Sequence, residues 1–359
     1  MGTLFKKPPS TNPIDWATLP EHSKWAKFWP EIKDREVREA IFQSSVRKAP
    51  GPDKISFLII QKAYENLESR FNRLYRILIR KGYHPRCWKE AKGVILKKSE
   101  SQKRDYTMPK AYRVVSLLNC LGKVSEKILA KRLSNLAEIP NSDLLYHDQM
   151  GGRPRKSAID SVLSLVHDIQ LARHKNRKTS TLFLDVKGAF DHVSVYQLLR
   201  ICARLGLPRS LIKWIYSFMS NRKILLAFDG QASQSMPIKI GIPQGSPISP
   251  ILFLIYIRYL YDFDEEVGEL RSTLELARYL SYIDDNSITV SSKSHEKNCR
   301  ILEQISHYLI KKGENDHILF DHEKTELIHF FPSRTIDLGD PRFIVNIGGE
   351  EIKAQESLK

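Results

Sequence analysis

Three aspartates stand where carboxylates are hard to keep. Asp185 ends the apolar run Thr181-Leu182-Phe183-Leu184, and Asp284 and Asp285 sit side by side between Tyr282-Ile283 and Ile288. An anionic side chain at the end of a buried strand is costly unless something compensates it. If Asp185 and Asp284 lie on neighbouring strands, their repulsion raises a carboxyl pKa or demands a cation. Magnesium suits such a place, because it binds through a few carboxylates together with substrate phosphates. Two such ions, about 3.5–4 Å apart, can activate an attacking hydroxyl and stabilise the departing oxygen of a phosphoryl transfer. Taken singly, each feature has a plainer account: an Asp-Asp pair between strands is ordinary turn chemistry.

These carboxylates need strands to carry them. Thr181 to Asp185 reads as one strand, and Leu280 to Val290 as two short strands bent at Asp284-Asp285-Asn286. Between them, residues 195–220 are helical in pattern and a strand pair brackets the turn Asp229-Gly230. Gly241-Ile242-Pro243-Gln244-Gly245-Ser246-Pro247 reads as a loop opening an apolar helix that runs to about Tyr261. Upstream, Val37, Ile41 and Val46 suggest a helix ending at the turn Lys48-Ala49-Pro50-Gly51-Pro52-Asp53. Leu58, Ile59, Ala63, Leu67, Leu74, Ile77 and Leu78 continue helical spacing to about residue 80. Gly93 to Lys97 and Tyr112 to Leu117 read as strands around a polar loop from Lys98 to Lys110. Helical spacing returns at Leu121, Val124, Ile128, Leu133 and Leu136, and again at Ile159, Val162, Val166 and Ile169. A helix through Ile301, Leu302, Ile305 and Leu309 precedes a last strand, Thr325 to Phe331. Strands and helices mix without strict alternation, which predicts an α+β fold rather than a doubly wound sheet.

Charge points to the partner. Lys and Arg number 57 against 41 Asp and Glu, a formal charge of +16, and so basic a chain calls for a polyanion or an anionic surface. Thirteen of the cations and only four of the acids lie between Arg86 and Arg132, a net +9 interleaved with apolar residues. A basic face on folded elements suits a groove that tracks phosphates. Cys87, Cys120, Cys202 and Cys299 show no paired spacing, which excludes a disulfide framework and a structural zinc site and fits a reducing compartment. The most apolar run, Ile248 to Ile257, is broken by Ser249-Pro250 and is too short to span a bilayer. With no apolar signal region after Met1, the expected setting is intracellular, nucleus or cytoplasm, with no membrane partner. Trp16, Trp25, Trp29 and Trp88 read as packing anchors rather than base-stacking platforms.

The blocks Phe183-Leu184-Asp185-Val186-Lys187-Gly188-Ala189-Phe190-Asp191, Gly241-Ile242-Pro243-Gln244-Gly245-Ser246-Pro247 and Tyr282-Ile283-Asp284-Asp285 resemble three successive polymerase motifs of reverse transcriptases. The likeness is to the non-LTR (LINE-type) retrotransposon group. Lys48 to Asp53, Ala111 to Leu118 and Glu323-Lys324-Thr325-Glu326 resemble further blocks of that group in the same order, so the similarity runs from about residue 45 to 350.

The resemblance implies a right-hand polymerase: a lead-in over 1–44, fingers over 45–180, a palm over 181–350 and a truncated tail over 351–359. The palm would end in a primer-grip-like hairpin, Phe343 to Ile352, and the thumb is expected to be absent, as are an endonuclease and a Cys/His knuckle. By the same resemblance, Asp185, Asp284 and Asp285 are the catalytic carboxylates. They would hold two Mg²⁺ ions, with Mn²⁺ as the alternative, helped by the carbonyl of Val186. Phe190 would lie under the incoming sugar and exclude a 2′-hydroxyl, and Gln244 and Gly245 would border the nucleotide. Arg113 and one of Lys97 or Lys98 would clasp the triphosphate, and Lys324 would help protonate pyrophosphate. The implied partners are an RNA template, a DNA primer and dNTPs. Lys48, Arg153, Arg155 and Lys156 are expected to contact nucleic acid. The loop Gly151-Gly152-Arg153-Pro154-Arg155-Lys156-Ser157 lacks the second glycine of a phosphate-binding loop and reads as a basic loop before a helix.

Three departures stand out: Ile283 replaces a usual Ala before the aspartate pair, Val114 a common Pro, and Gly151-Gly152-Arg153-Pro154 varies a Phe-containing segment. Ile283 is expected to face the hairpin core. A group II intron-type reverse transcriptase or maturase, with a mitochondrial setting, shares the central motifs. A relic that binds nucleic acid without polymerising is the reading from another class. An RNA-dependent RNA polymerase fits poorly with an aromatic at position 190.

Overall fold

In a computed structural model of the chain, residues 16, 19, 23–98, 105–261, 263, 270–315, 317–330 and 343–355 are described. Residues 99–104 of the polar loop expected after Lys98, the first fifteen residues and the tail residues 356–359 lie outside them. The chain divides into two compact units, residues 1–144 with 190–255, and residues 145–189 with 256–359. Residues 145–180 pack with the second unit, and residues 190–255 with the first.

The first unit begins with α1 (Asp34–Phe42), α2 (Phe57–Lys81), β1 (Glu90–Lys97), β2 (Tyr112–Leu117) and α3 (Cys120–Ala137). The chain then contributes β3 (Gln149–Met150), α4 (Ala158–His174) and β4 (Lys178–Asp185) to the second unit. It returns to the first for α5 (Val195–Arg204), α6 (Arg209–Met219), β5 (Arg222–Phe228), β6 (Gln231–Ala232) and β7 (Met236–Ile238). Helix α7 (Ser249–Arg258) leads back, and the second unit closes with α8 (Leu270–Leu274), β8 (Ala277–Tyr282), β9 (Asp285–Ser292) and α9 (His295–Asn315). Last come β10 (Glu326–Phe330) and the hairpin β11 (Val345–Ile347) and β12 (Glu350–Ile352). The helical pattern expected over 195–220 is two helices. Gly206, at φ +65, ends the first, and Pro208 precedes the second.

In the first unit, β1 pairs antiparallel with β2 and parallel with β5, and both β6 and β7 pair with β5. One face of this sheet buries Ala91, Leu118, Ile224 and Leu226. The helices bury Tyr75, Leu129, Leu133 and Trp214. Trp25 and Trp88 are buried too, the former donating its indole N–H to Leu205 O at 2.8 Å. The buried stripe of α2 runs through Phe57, Ile60, Tyr64, Tyr75 and Leu78, while Leu58, Ile59, Leu67, Leu74 and Ile77 are exposed. A kink at Leu67 (φ −125°, ψ 21°) turns the helix off a single 3.6-residue register.

The second unit is a five-stranded sheet in the order β10-β4-β9-β8-β3, antiparallel except for β3 with β8. Helix α9 packs on β4 and β9. Beneath β4 lies a buried polar layer, in which Ser180 Oγ is 3.0 Å from His295 Nδ1 and 2.8 Å from His329 Nδ1. Helix α4 forms where its spacing predicts, yet its stripe is not core: Ile159 is 70% and Val162 60% exposed.

Candidate active site

The second unit brings together the carboxylates that the sequence singles out. β4 and β9 pair in a register that sets Asp185 directly opposite Asp285. β8 and β9 form a hairpin whose last pair is Tyr282 with Asp285, so its two-residue tip is Ile283-Asp284. All three aspartates therefore sit at one end of one sheet. Ile283 occupies the tip rather than the hairpin core, with φ +59. A left-handed conformation costs a β-branched residue about 1–2 kcal/mol, so other contacts must fix the tip. Ile283 N–H donates to Met150 O at 3.2 Å, and Asn286 Nδ2 to Asp284 O at 2.8 Å. A Cβ on Gly151 would meet Ile283 Cγ1 at 2.8 Å and the Tyr282 ring at 3.0 Å. The Gly151-Gly152 segment, which the sequence offers only as a basic loop, is thus the splint beneath the aspartate hairpin.

Lys324, on the short turn His322–Lys324, completes the group. Its Nζ lies 2.5 Å from Asp185 Oδ2 and 3.7 Å from Asp321 Oδ2. Burial works against its charge, but the bond to Asp185 and the charges of Asp185, Asp321 and Asp284 prevail and raise its pKa. The Asp285 carboxyl is also pushed above its ordinary range, first by burial, then by the charges of Asp284 and Asp185, with Lys324 pulling back. Three carboxylates repel one another and recruit the Lys324 ammonium, so the donor set fits a hard divalent cation. Among the described residues, no three His, Cys, Asp or Glu side chains form a ready-made metal cage. Magnesium needs none, since it fills its octahedron largely with water and phosphate oxygens. Val186 bridges Phe320. The bonds beside it, Asp321 N–H to Asp185 O and Lys187 N–H to Leu319 O, each 2.8 Å, do not use its own carbonyl.

The first unit gathers a second set. Phe190 stacks on Phe253 at 5.2 Å between ring centres, and its carbonyl accepts from Ile242 N–H at 2.7 Å. Gln244 O accepts from Ser116 N–H of β2 at 2.8 Å. Gly245, at φ +107, passes so close to that strand that a Cβ would stand 2.7 Å from Ser116 O. Gln244 Nε2 reaches Asp191 Oδ1 at 3.5 Å, a carboxyl raised by burial and pulled the other way by His192, Gln244 and Lys98. Arg113 is exposed on β2, paired in register with Leu96, and Lys97 pairs with Tyr112. Lys97 Nζ lies 5.4 Å from the Tyr106 ring centre.

The residues expected to contact nucleic acid divide between the units, Lys48 in the first and Arg153, Arg155 and Lys156 in the second. Lys48 is exposed beside the Pro50–Asp53 turn, which α3 holds through an Asn119–Asp53 hydrogen bond. Arg153 Nη1 donates to Tyr146 O and Gln149 O, and Lys156 Nζ to His147 O, inside their own loop. Arg155 is exposed, at φ +59. In the sequence, Asp191, Ser116 and Ser246 stand inside the motif blocks without an assigned role, and Glu126 and Arg222 go unnamed. One signal was available: Glu126 falls three and seven residues before Leu129 and Leu133, on the buried stripe of α3.

Residues 95–354 match the reverse transcriptase (RNA-dependent DNA polymerase) family. The chain is 27% identical over 259 residues to the RNA-directed DNA polymerase from mobile element jockey of Drosophila melanogaster, covering 72% of this chain and 27% of that protein. It is 28% identical over 250 residues to the retrovirus-related Pol polyprotein from type-2 retrotransposable element R2DM of the same organism, covering 67% and 22%. The chain thus spans about a quarter of the length of such relatives. An apo telomerase from Candida tropicalis, truncated from the C-terminal domain, overlays with a TM-score of 0.49 at 15% identity, over 82% of this chain and 59% of that one. The likeness to non-LTR retrotransposon polymerases that the six motif blocks carry is matched by these relatives, and the chain belongs to the reverse transcriptase family.

Proposed function

We propose that this chain is the polymerase core of a non-LTR retrotransposon reverse transcriptase, extending a DNA primer with dNTPs on an RNA template. The observation that carries the reading is the register of Asp185 against Asp285, with Asp284 at the adjoining hairpin tip and Lys324 bridging to Asp185. Asp185, Asp284, Asp285 and the Val186 carbonyl would hold Mg²⁺, which when bound supplies a Lewis acid for the primer hydroxyl and the leaving pyrophosphate. Asp185 and Asp285, held on paired strands, keep the anionic face in place before substrate arrives. Lys324 neutralises that face in the free chain and would give a proton to the leaving pyrophosphate. Phe190, backed by Phe253, closes the sugar side of the nucleotide site against a 2′-hydroxyl. Gln244 and the close-approaching Gly245 border the nucleotide, and Arg113 with Lys97 or Lys98 takes the triphosphate. The right-hand division into fingers and palm belongs to the same reading. The basic span from Arg86 to Arg132 supplies the charge for nucleic-acid backbone.

The test is primer extension on an RNA template with Mg²⁺, run beside Asp284→Ala and Phe190→Ala. The parent chain should extend with dNTPs, Asp284→Ala should not, and Phe190→Ala should accept ribonucleotides. A parent chain that binds RNA with steep salt dependence yet extends nothing would instead mark a nucleic-acid-binding relic.

A further inference from the structure

The loop Gly241–Ser246 is held from sides that the polymerase motifs do not name. Glu126 of α3 is only 1% exposed, and Ser246, 5% exposed, donates its hydroxyl to the Glu126 carboxyl. At the other end of the loop, Arg222 of β5, also 5% exposed, donates from Nη2 to Gly241 O and from Nε to Met219 O at 3.3 Å. Ser246 Oγ additionally receives Ile248 N–H at 3.3 Å, and Ser249 Oγ donates to Pro243 O at 2.9 Å. Between these anchors, the backbone of Gln244 is tied to β2 through Ser116.

A buried carboxyl is expensive, and a helix that only needed packing here would carry a leucine. Burial pushes Glu126 up to about 7, against the pull of the Ser246 hydrogen bond and the charges of Lys123 and Arg222. What the buried group supplies is its hydrogen bond, and that bond meets the loop at Ser246.

We propose that Glu126 is a positioning residue: through Ser246, and with Arg222 fixing Gly241, it sets the loop that carries Gln244 and so the fit of the incoming nucleotide. This inference rests on Gln244 bordering the nucleotide. Glu126→Ala leaves the Ser246 hydroxyl without its acceptor, so the loop loses its register. Glu126→Gln keeps an acceptor for Ser246 at nearly the same volume. Ser246→Ala cuts the same link without removing a buried charge, and serves where Glu126→Ala fails to fold.

Two readouts decide the matter. In single-nucleotide extension, Glu126→Ala and Ser246→Ala should raise the KM for dNTP about ten-fold, the equivalent of one hydrogen bond, with little change in primer–template affinity. Glu126→Gln should stay within about three-fold of the parent. In amide hydrogen exchange, which needs no activity, Ser116 and Ile242 should lose protection in Glu126→Ala and Ser246→Ala and keep it in Glu126→Gln. Unchanged protection in the first two variants overturns the proposal. So does a lowered melting temperature with KM unmoved, which marks a purely structural buried acid. If Gln244→Ala leaves KM unmoved while protection at Ser116 and Ile242 falls as stated, the nucleotide assignment of Gln244 has failed and the anchoring has not.

Discussion

Gly245→Ala isolates how closely the Gly241–Ser246 loop, proposed to border the nucleotide, must approach β2. Three costs combine. Gly245 sits at φ +107, where a residue with a Cβ is strained by about 1–3 kcal/mol. The new Cβ would stand 2.7 Å from Ser116 O, a backbone atom that no side-chain rotation can move. Relieving that clash means parting the loop from β2, which stretches the 2.8 Å bond between Ser116 N–H and Gln244 O, worth about 0.5–1.5 kcal/mol. The sum is about 2–4 kcal/mol. If about 2 kcal/mol of it falls on the bound nucleotide, kcat/KM for dNTP drops roughly 30-fold. Gly230→Ala provides the control. Gly230 turns between β5 and β6 at φ +77, and a Cβ there would find nothing within 4 Å, so it carries the strain without the clash. That variant should lose about 1–2 kcal/mol of stability and leave nucleotide kinetics within about two-fold. The assay is single-nucleotide extension over a dNTP series, with thermal melting of both variants alongside. A folded Gly245→Ala chain whose kcat/KM stays within about three-fold of the parent would refute the close-approach argument.

Two further outcomes follow from the electrostatics. Removing the ammonium with Lys324→Met leaves Asp185 without its partner. The ion pair is largely exposed on the lysine side and so is worth about 0.5–1 kcal/mol. Half-saturation by Mn²⁺, followed by the loss of free-ion resonance signal, should therefore tighten about two- to five-fold, and a weaker affinity would contradict the stand-in role. The buried histidines set an acid limit. Burial pushes His84 down to about 3 and His295 down to about 4, and lowers His329. Each folded value lies below the ordinary 6.5, so the unfolded chain takes up protons first and stability falls as pH drops from about 6.5 toward 4. Each group contributes about 1.4 kcal/mol per pH unit within its window. Glu126, raised to about 7, works in the opposite sense, because its folded form binds a proton that the unfolded form has released. Asp191 and Asp285, also raised by burial, act in the same sense as Glu126. The histidine share is therefore read by difference: between about pH 6.5 and 5 the melting temperature of His84→Leu should fall less, or rise more, than that of the parent, and identical slopes in the two would count against the assignment.

Much of the carboxylate site was legible because its signals are local. An apolar run stopping at Asp185, and an Asp-Asp pair between apolar flanks, announce strands whose ends must be compensated, and the register of β4 with β9 places them opposite each other. Strand β2 and helix α3 also follow local pattern closely. What was not legible depends on partners far apart in sequence. The parallel pairing of β1 with β5 joins residues some 130 positions apart, and no periodicity in either segment encodes its neighbour. The compact units interleave for the same reason: local spacing predicts elements, and long-range pairing decides which unit each element joins.

Ile283 shows where the two levels meet. Read as sequence, an isoleucine before the aspartate pair looks like one more apolar strand residue, bound for the hairpin core. In the fold it turns the hairpin at φ +59, a conformation that propensity disfavours, so the turn must be imposed from outside. Gly151 supplies the room, Met150 O accepts the Ile283 N–H, and Asn286 grips Asp284 O. A strained tip held by several contacts has fewer alternatives than a relaxed one, and Asp284 is the next residue. The strain at Ile283 is thus best understood as the local cost of fixing one carboxylate beside two others. It also explains why a glycine segment more than 130 residues upstream belongs to the same site.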